Sequence, residues 1–421
     1  MKFIADLHLH SKYSRATSQD MEVRTLGLWA KRKGIKLLGT GDFTHPLYFL
    51  DLKTKLAPLG NGLFVLKEDP EGTHFMLTVE VSNMYRQGGK SRRVHTLIFA
   101  PSFEVAERIN TRLSKYGKTG SDGRPIFGFS AKDLLKMVLD LSPECLLIPA
   151  HAWTPWFSIF GANSGFDSIQ ECYEEESRNI RAIETGLSSD PEMNWRLSAL
   201  DEITLISNSD AHSPGKIGRE ANVFDCDLSY AEVTGAIRRK DPRRLLYTIE
   251  FFPEEGKYHY DGHRNCKVLF SPRETRKHKN LCPVCGKRLT VGVMNRVEEL
   301  ADRPEGAVSP KAIPALHTVP LDEIIAEALG VGPNASSVEK EYLRLVEKGG
   351  AEFNILLELS PEELSSFTPP NILEGILRVR EGRLRINPGY DGVFGKVEIF
   401  SPAEKGKEID PGGEPRQMGL F

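Results

Sequence analysis

Two histidines close the first apolar stretch of the chain and are the first residues to suggest chemistry. The stretch DLHLH follows Phe3 and Ile4 and places His8 and His10 two positions apart. Residues i and i+2 of a β-strand point to the same face, so both imidazoles face one way. Imidazole is the commonest metal-binding side chain near neutral pH. Two half-buried histidines bonded to carbonyl groups would have the same spacing, so the rest of the sequence must decide.

Acidic residues and histidines recur at or near the ends of the other predicted strands. They are Asp42 and His45 in GTGDFTH, Glu80 in FMLTVEV, His95 in VHTLIFA, His151 in PAHAW, Glu184 in RAIETG, and Asp210 and His212 in SNSDAHS. In βα barrels the chemistry collects at the carboxyl ends of the strands. A mixed set of imidazoles and carboxylates suits zinc or manganese, and Glu80 could bridge two ions. The pattern predicts a metal site.

Short apolar strands alternating with amphipathic helices must position these residues. The predicted strands are Phe3–Ala5, KLLGT, FMLTVEV, VHTLIFA, CLLIPA, RAIET and ITLIS, and the clearest helices are MEVRTLGLWAKRKG and SAKDLLKMVLD. The alternation indicates βα units with a parallel or barrel sheet, up to about residue 250. FMLTVEV and VHTLIFA, joined by a basic loop with glycines, predict a hairpin. From PLDEIIAEALGVG to about residue 380 the pattern is helical.

These motifs resemble the PHP (polymerase and histidinol phosphatase) superfamily, and one branch of it, the endonuclease Q family, in particular. The resemblance lies in DLHLHSKYSRATS, GTGDFTHP, IETGLSSDPEMNWRLSALD, ISNSDAHSP, KYHYDGHRNC and LCPVCGKRLTVGV, within about residues 1–300. It implies an α/β fold with a distorted (β/α)7 PHP barrel. It also implies a DNA repair endonuclease that uses metal-activated water. The implied cut is 5′ to uracil, hypoxanthine, xanthine or an abasic site in double-stranded DNA.

The resemblance also implies which residues hold metal. The first site corresponds to His8, His10, Glu80 and Asp210, the second to Glu80, His95 and His151, and the third to His212. Glu80 and Asp210 are the expected catalytic carboxylates. At the third site Ala16 and Phe43 stand where the superfamily usually has histidines, so either Asp42 substitutes or the third ion is weak. We therefore expect two or three zinc or manganese ions in the barrel, with His45 outside the ligand set.

A second set of metal-ligand residue types lies in the segment 251–300. Cys282 and Cys285 form a CxxC pair followed by Gly-Lys, and His263 precedes Cys266 by the same step. CxxC combined with HxxC is a specific signal for tetrahedral structural zinc. Three free cysteines are a poor alternative in so basic and turn-rich a segment. His259 and His278 compete with His263 for the fourth position.

The same segment is strongly basic. Lys257 to Arg296 contains ten lysines and arginines against two acids, Asp261 and Glu274, in a chain of net charge −3. RQGGKSRR and RRKDPRR are smaller basic clusters. Such segments are typical of proteins that contact the DNA backbone, although solvated loops can have the same composition.

Aromatic residues follow His151 in HAWTPWFSIF. Trp153, Trp156 and Phe157 are candidates for stacking on a base flipped out of the duplex. Packing in the core is the alternative interpretation for all three.

The end of the chain combines a polar, Pro/Gly-rich stretch with a short apolar motif. PAEKGKEIDPGGEPR predicts a flexible tail. The last five residues, QMGLF, resemble the sliding-clamp-binding pentapeptide of bacteria and truncated archaeal clamp motifs, which makes Gln417, Leu420 and Phe421 candidate clamp contacts. Five residues also match by chance.

At 421 residues the chain predicts two or three domains. We expect a PHP phosphoesterase domain over 1–250, a basic zinc-binding module over 251–300, a helical DNA-contacting region over 301–400 and a tail over 401–421. There is no apolar run of membrane-spanning length, no signal-peptide layout and no disulfide framework, so we expect a cytoplasmic, nucleoid-associated monomer.

Two other functions remain open from the sequence. A PHP phosphoesterase acting on a small phosphorylated metabolite would explain the metal ligands but not the basic zinc module or the tail. A non-catalytic, clamp-recruited DNA-binding adaptor would explain those two but not the ligands, because buried carboxylates without a function are costly.

Overall fold

The computed structural model describes residues 1–405 and divides into two compact units. The first unit comprises Met1–His317 and Asn387–Lys396, and the second comprises Thr318–Ile386 and, within the described range, residues 397–405. The limits predicted at residues 250 and 300 fall inside the first unit. Gln417, Leu420 and Phe421 lie outside the described residues.

Most elements of the first unit are short strands joined by helices. The strands are β1 (Lys2–Asp6), β2 (Leu37–Gly39), β3 (Leu56–Pro58), β4 (Phe64–Leu66), β5 (Asp69–Gln87), β6 (Lys90–Ala100), β7 (Ile126–Phe127), β8 (Leu146–Pro149), β9 (Ala182–Glu184), β10 (Thr204–Ile206), β11 (Ala221–Asp225), β12 (Leu245–Glu250), β13 (Asp261–His263), β14 (Val268–Phe270) and β15 (Ala315–His317). The α-helices are α1 (Val23–Lys33), α2 (Pro46–Lys55), α3 (Phe103–Leu113), α4 (Ala131–Leu141), α5 (Ile169–Tyr173), α6 (Pro191–Asn194), α7 (Tyr230–Arg239), α8 (Pro272–Lys277) and α9 (Val293–Leu300).

Seven strands follow one another around a distorted barrel: β1, β2, β5, β6, β8, β9 and β10. The β1–β2, β2–β5 and β9–β10 pairs are parallel, whereas β5–β6 and β6–β8 are antiparallel. Single backbone hydrogen bonds complete the ring, from Ala152 N–H to the Glu184 carbonyl (2.9 Å) and from His10 N–H to the Ala211 carbonyl (3.0 Å). All seven predicted strands and the predicted hairpin are confirmed.

Apolar side chains from every barrel strand meet in one core. The buried residues that they contribute include Ala5, Leu37, Met76, Leu97, Ile148, Ala182 and Ile206. Strands buried on both faces read as continuous apolar runs, which is why short sequences such as CLLIPA identify them. Because the core fixes the strands side by side, the polar residues beyond it are brought to one rim.

The β5–β6 hairpin extends well beyond this rim. Its register runs from Leu77 opposite Ala100 to Gln87 opposite Lys90, so the basic cluster RQGGKSRR forms its end, where Arg86 and Lys90 are exposed and Arg92 is buried. The extension has no continuous apolar run, and the predicted strands therefore stop short of it. Glu80 and His95 consequently lie in the middle of their strands rather than at an end.

The cysteine-bearing segment folds within the first unit. β13 and β14 pair antiparallel, from Asp261 opposite Phe270 to His263 opposite Val268. The helix α8 that follows starts with a capping box, in which Ser271 and Glu274 exchange side-chain-to-backbone hydrogen bonds.

The second unit is mainly helical, as predicted. Its helices are α10 (Leu321–Leu329), α11 (Ser336–Gly349), α12 (Pro361–Ser365) and α13 (Pro370–Arg380), with a π-helix at Asn354–Glu358. The short strands β16 (Arg385–Asn387) and β17 (Lys396–Glu398) pair with each other at the two ends of the segment Asn387–Lys396. Buried Glu352 accepts hydrogen bonds from Leu321 N–H (3.2 Å) and the Tyr342 hydroxyl (2.7 Å). Among the described helices, none has the length and apolarity needed to cross a membrane.

Candidate active site

Four predicted ligands meet at the rim of the barrel in a first cluster: His8, His10, Glu80 and Asp210. One nitrogen or oxygen from each lies within 4.8 Å of the others. His10 Nε2 is 3.2 Å from both Glu80 Oε2 and Asp210 Oδ1, and His8 Nε2 is 3.6–3.7 Å from the same two oxygens. His8, His10 and Glu80 are almost wholly buried, whereas the Asp210 side chain is 25% exposed, so solvent reaches the cluster beside Asp210.

A second cluster shares Glu80 with the first. Glu80 Oε1 lies 2.7 Å from His95 Nδ1 and 2.9 Å from His151 Nε2, and the two rings are 3.2 Å apart at those nitrogens. The two oxygens of Glu80 therefore face different clusters. This is the arrangement expected of a carboxylate that bridges two ions.

Both clusters fit a metal ion. Buried polar atoms normally have hydrogen-bond partners. His8 Nε2, His10 Nε2 and Asp210 Oδ1 nevertheless make no hydrogen bond within residues 1–405, although all three face the first cluster. Imidazole nitrogens and carboxylate oxygens together are a donor set for zinc or manganese.

Side chains behind the clusters orient the histidines. Glu184 accepts a hydrogen bond from His8 Nδ1 at 3.0 Å and from His151 N–H at 2.8 Å. Asp42 lies 3.1 Å from His10 Nδ1, and Thr154 Oγ1 lies 3.1 Å from His151 Nδ1. Such outer partners fix the ring orientation and tautomer of ligating histidines.

The structure does not bring Asp42 or His212 into either cluster. Asp42 is fully buried behind His10, where it also accepts hydrogen bonds from Ser11 N–H (2.6 Å) and the Ser14 hydroxyl (2.8 Å). The His212 ring packs at 4.6 Å from that of His10, with Nδ1 donating to the Asp210 carbonyl at 2.8 Å. His45, predicted to lie outside the ligand set, stacks on Tyr13 at 4.3 Å.

Three of these residues have left-handed backbone conformations. The φ angle is 48° at Asp42, 29° at His151 and 48° at Asp210. Such conformations are unfavourable for residues other than glycine and concentrate at functional sites, where tight turns aim a side chain.

Charge within the site shifts several pKa values. Burial lowers the pKa of His8 and His10, but the carboxylates of Glu184 and Asp210 around His8, and of Asp42 around His10, raise both pKa values well above normal overall. Burial is likewise outweighed at Glu80, whose pKa is held well below normal by His95 and Arg124. A metal ion binds imidazole in its neutral form, so metal binding at His8 and His10 would be coupled to release of protons.

Arg124 is a site residue that the sequence analysis missed. Its guanidinium donates to Glu80 Oε2 at 2.9 Å, and its side chain remains 29% exposed. It lies in the loop KTGSDGRPIF, far from any recognised motif, and the sequence contains no signal for its position. Glu184 was noticed only as a strand-end acid, without its role behind His8 and His151.

The three aromatic candidates have different environments. Trp153 is 1% exposed and donates from Nε1 to Asn194 at 2.8 Å, which places it in the core. Phe157 is half-buried and packs against His95 at 4.7 Å. Trp156 is 47% exposed and lines an apolar cavity of about 600 Å³ together with Thr154, Tyr258 and Phe394. Thr154 connects this cavity to the second cluster through its contact with His151.

The cysteine-bearing segment forms a third cluster of ligand atoms. His263, Cys266, Cys282 and Cys285 present one atom each within 4.8 Å of one another. Burial raises the pKa of the Cys282 thiol, but the backbone N–H groups of Cys285 and Val284 lower it to about 6 overall. Three sulfurs and one imidazole suit tetrahedral zinc.

The two competing histidines lie elsewhere. His278 stacks on Phe270 at 4.6 Å, and buried His259 packs on Tyr260 at 5.0 Å. The structure therefore brings His263, rather than His259 or His278, to the three cysteines.

Comparisons with known proteins give matches over nearly the whole chain. A family model described as the MJ0043 C-terminal domain matches residues 320–383. The uncharacterised protein YqxK of Bacillus subtilis (strain 168) is 30% identical over 414 residues, which are 94% of this chain and 99% of YqxK.

Two solved structures are similar in both fold and sequence. The crystal structure of the lesion-specific endonuclease PfuEndoQ from Pyrococcus furiosus has a TM-score of 0.84 and 31% identity, covering 94% of this chain and 95% of that one. A crystal structure of endonuclease Q in complex with a 27-mer duplex substrate, with an abasic lesion at the active site, has the same TM-score and identity and covers 97% and 99%.

Proposed function

The chain belongs to the endonuclease Q family of the PHP superfamily, and we propose that it is a DNA repair endonuclease. The proposed reaction is hydrolysis of the phosphodiester 5′ to a deaminated base, namely uracil, hypoxanthine or xanthine, or 5′ to an abasic site. The observation that carries the proposal is the pair of clusters sharing Glu80, set in a chain that matches a lesion-specific endonuclease over 94% of its length.

The proposed cofactors are zinc or manganese ions. One ion would be held by His8, His10, Glu80 and Asp210, and the second by Glu80, His95 and His151, while His212 is the residue available to a third ion. Bound divalent ions supply activation of water and neutralisation of charge at the phosphate. Glu80 and Asp210 are the carboxylates on which this arrangement depends.

The protein's own residues prepare the site before substrate arrives. Glu184 and Asp42 hold the rings of His8 and His10 in orientation, since each carboxylate binds the ring nitrogen that faces away from the cluster. Arg124 places a positive charge beside Glu80 and is itself partly exposed. We propose that Arg124 donates to an oxygen of the scissile phosphate, which guanidinium groups recognise well.

A flipped lesion would be held in the apolar cavity beside the second cluster. Trp156 offers an exposed ring for stacking, and Tyr258 and Phe394 line the same cavity of about 600 Å³. A flipped nucleobase requires a pocket of this kind next to the reacting phosphate. Trp153 supports the cavity loop from the core, and Phe157 packs under the ligand His95.

The zinc module supplies a DNA-contacting surface in this proposal. One structural zinc on His263, Cys266, Cys282 and Cys285 would stabilise a segment that otherwise buries few apolar side chains, with Val268 and Leu289 packed around Cys282. The basic residues of the segment would then neutralise backbone phosphates.

The C-terminal motif is proposed to recruit the enzyme to a DNA sliding clamp. Gln417, Leu420 and Phe421 lie outside the described residues, so this proposal rests on QMGLF and the composition before it. We further propose that the protein acts as a monomer on nucleoid DNA.

The proposed function is tested by comparing DNA and phosphomonoester substrates. Purified, metal-loaded protein is given a labelled duplex carrying a single lesion, the matched undamaged duplex and a model phosphomonoester. Cleavage of the lesion duplex alone supports the proposal. Turnover of the phosphomonoester with no DNA cleavage would support the metabolite phosphoesterase, and metal binding without activity would support the adaptor.

A further inference from the structure

A second cavity, which is polar, lies at the amino ends of barrel strands and away from the ligand clusters. Its volume is about 640 Å³. Arg181 directly precedes β9, and Glu202 lies two residues before β10, whereas Glu184 is the last residue of β9 and Asp210 follows the end of β10 by four residues. The cavity and the candidate active site are therefore separated by the strands themselves.

Five cations and one acid line this cavity along with small apolar residues: Arg181, Arg238, Arg239, Lys240, Lys311 and Glu202. The acid is already paired, because Lys311 Nζ lies 2.6 Å from Glu202. The remaining cations make no ion pair with a carboxylate in the part of the chain that the structure describes. The cavity therefore carries an uncompensated positive charge in a protein whose net charge is −3.

Backbone carbonyl groups hold two of these cations in place. Arg238 donates to the carbonyl oxygens of Glu144 (2.7 Å) and Cys145 (2.8 Å), and Lys240 donates to that of Asp201 (2.7 Å). Neutral acceptors position these side chains without cancelling their charge. The nearby carboxylate of Asp201 is occupied by Arg303 instead, at 2.5 and 2.8 Å.

The environment of the cavity disfavours the charged form of Lys240. Burial lowers the pKa of Lys240 to about 8, which shows that the nearby acids do not compensate for the lost hydration of its ammonium group. Lys240 also has a left-handed backbone, with φ of 50°. A bound anion would supply the missing counter-charge and would raise this pKa again.

We propose that this cavity is a second, non-catalytic binding site for an anion that carries several adjacent phosphates. Arginine side chains recognise phosphate oxygens through paired hydrogen bonds, and three arginines with one unpaired lysine require more negative charge than a single carboxylate carries. The volume is in the range of small-molecule sites. The phosphates can belong to a free polyphosphate, such as a nucleoside triphosphate, or to the backbone of a second nucleic-acid segment.

The test is calorimetric titration of the full-length, metal-loaded protein with inorganic tripolyphosphate. Metals in the barrel also attract phosphate. Tripolyphosphate binding by the cavity is therefore measured as the binding that the double variant Arg181→Ser/Arg239→Ser loses. Both arginines are exposed and make no hydrogen bond that the fold needs within the described residues. A control of equal charge, Arg108→Ser/Arg243→Ser, changes two exposed arginines outside the cavity.

We expect wild type and control to bind one tripolyphosphate more than the cavity variant, or to bind it at least about tenfold more tightly at this site. Lesion cleavage should stay unchanged in all three proteins, a result that keeps this proposal separate from the catalytic one. Equal binding by all three proteins would overturn the proposal.

Competition then identifies the source of the phosphates. Displacement of tripolyphosphate by an undamaged duplex assigns the cavity to nucleic-acid backbone. Displacement by ATP, with no effect of the duplex, assigns it to a soluble polyphosphate. If neither displaces tripolyphosphate, the cavity has no biological phosphate ligand and the proposal fails.

Discussion

At the scale of single residues, the two nitrogens of each histidine ring in the first cluster have different surroundings. Nε2 of His8 and of His10 and Oδ1 of Asp210 face the first cluster without hydrogen bonds, while Nδ1 of each ring is held by a buried carboxylate. The hydrogen bonds of the fold therefore fix the orientation of both rings and leave the candidate ligand atoms available to an ion. This division is expected of a site that binds a metal ion.

Asp210→Asn should abolish cleavage and leave binding of lesion DNA largely intact. Asp210 Oδ1 has no hydrogen-bond partner in residues 1–405, so the fold does not need its charge, whereas an ion in the first cluster does. We expect a loss of more than about 100-fold, beyond that caused by losing a supporting partner. Cleavage rates and fluorescence anisotropy check both parts, with exposed Asp227→Asn as the control. Near-normal cleavage with metal supplied would contradict the assignment.

Arg124→Gln should slow cleavage while the barrel keeps its metal. A charged hydrogen bond to the phosphate is worth roughly 1.5–3 kcal/mol, so we expect kcat to fall by roughly 10- to 150-fold. Arg124→Lys should recover part of this loss, because it retains the charge but not the paired donors.

Elemental analysis and single-turnover kinetics distinguish the roles of Arg124, with exposed Arg108→Gln as the control. Loss of metal together with activity would mean that Arg124 supports Glu80 rather than the substrate.

The residues that meet in the two clusters could be listed from the sequence as candidate ligands because each lies in or soon after a short apolar strand. The position of Arg124 and the orientation of Asp42 illustrate what was not predictable. Arg124 reaches Glu80 from a loop between α3 and β7, and only the folded chain places it there. The orientation of Asp42 toward His10 instead of an ion depends likewise on its φ of 48°, which residue type alone does not determine.

At the scale of elements, the β5–β6 hairpin and the zinc module project functional residues beyond the barrel. The hairpin supplies Glu80 and His95 from its middle and basic residues from its exposed end. Its register depends on backbone pairing between polar residues, so a reading based on apolar runs finds only half of its length. Both elements belong to the first unit.

Cys282→Ser should remove about one zinc per chain and weaken DNA binding while barrel metals remain. Structural zinc contributes folding free energy directly, and the module's own apolar cluster is small, with Val268, Cys282 and Leu289 as its buried members. Elemental analysis and DNA affinity check this, with Cys226→Ser as a control outside the module. Unchanged zinc content would contradict the assignment of the four ligands.

Glu250→Gln should make the protein more stable at pH 8 but not at pH 4.5. Burial raises the pKa of Glu250 from 4.5 to about 7, and the charge of Asp190 adds to this. Between these values the folded state holds a proton that the unfolded state has lost, so wild-type stability falls as the pH rises from about 4.5 to about 7.

Glutamine mimics the protonated carboxyl and removes this loss. We expect a gain on the order of 3 kcal/mol at pH 8, measured by denaturant unfolding as the difference from wild type at each pH. Exposed Glu305→Gln is the control. A variant less stable than wild type at pH 8 would show that the carboxylate is needed there.

At the scale of the whole molecule, the chain combines a barrel unit that contains every candidate metal ligand with a separate helical unit. The sequence predicted the barrel strands and the helical pattern from PLDEIIAEALGVG to about residue 380, because both rest on local apolar periodicity. It did not predict that the cysteine-bearing segment folds within the barrel unit. That arrangement is reflected in long-range contacts such as the ion pair of Arg196 with Glu298 and the hydrogen bond from Arg296 to the Phe160 carbonyl, which no local pattern reveals.

Deleting Gln417–Phe421 should leave cleavage of short oligonucleotides unchanged and remove binding to the sliding clamp of the same organism. A five-residue motif makes few contacts with its partner, so its affinity should be modest, around micromolar. Co-elution and clamp-stimulated cleavage on long DNA are the measurements. If full-length and truncated proteins bind the clamp equally, or neither binds it, the clamp proposal is wrong and the nuclease proposal is unaffected.

The most direct test of the central claim is the position of the cut in end-labelled duplexes that differ in one nucleotide: uracil, hypoxanthine, xanthine, an abasic site or an undamaged base. With zinc or manganese present, we predict a single break at the phosphodiester 5′ to the lesion, no break in the undamaged duplex, and no break after chelation. Equal cutting of damaged and undamaged strands, or no cutting of any duplex by fully metal-loaded protein, would contradict the claim.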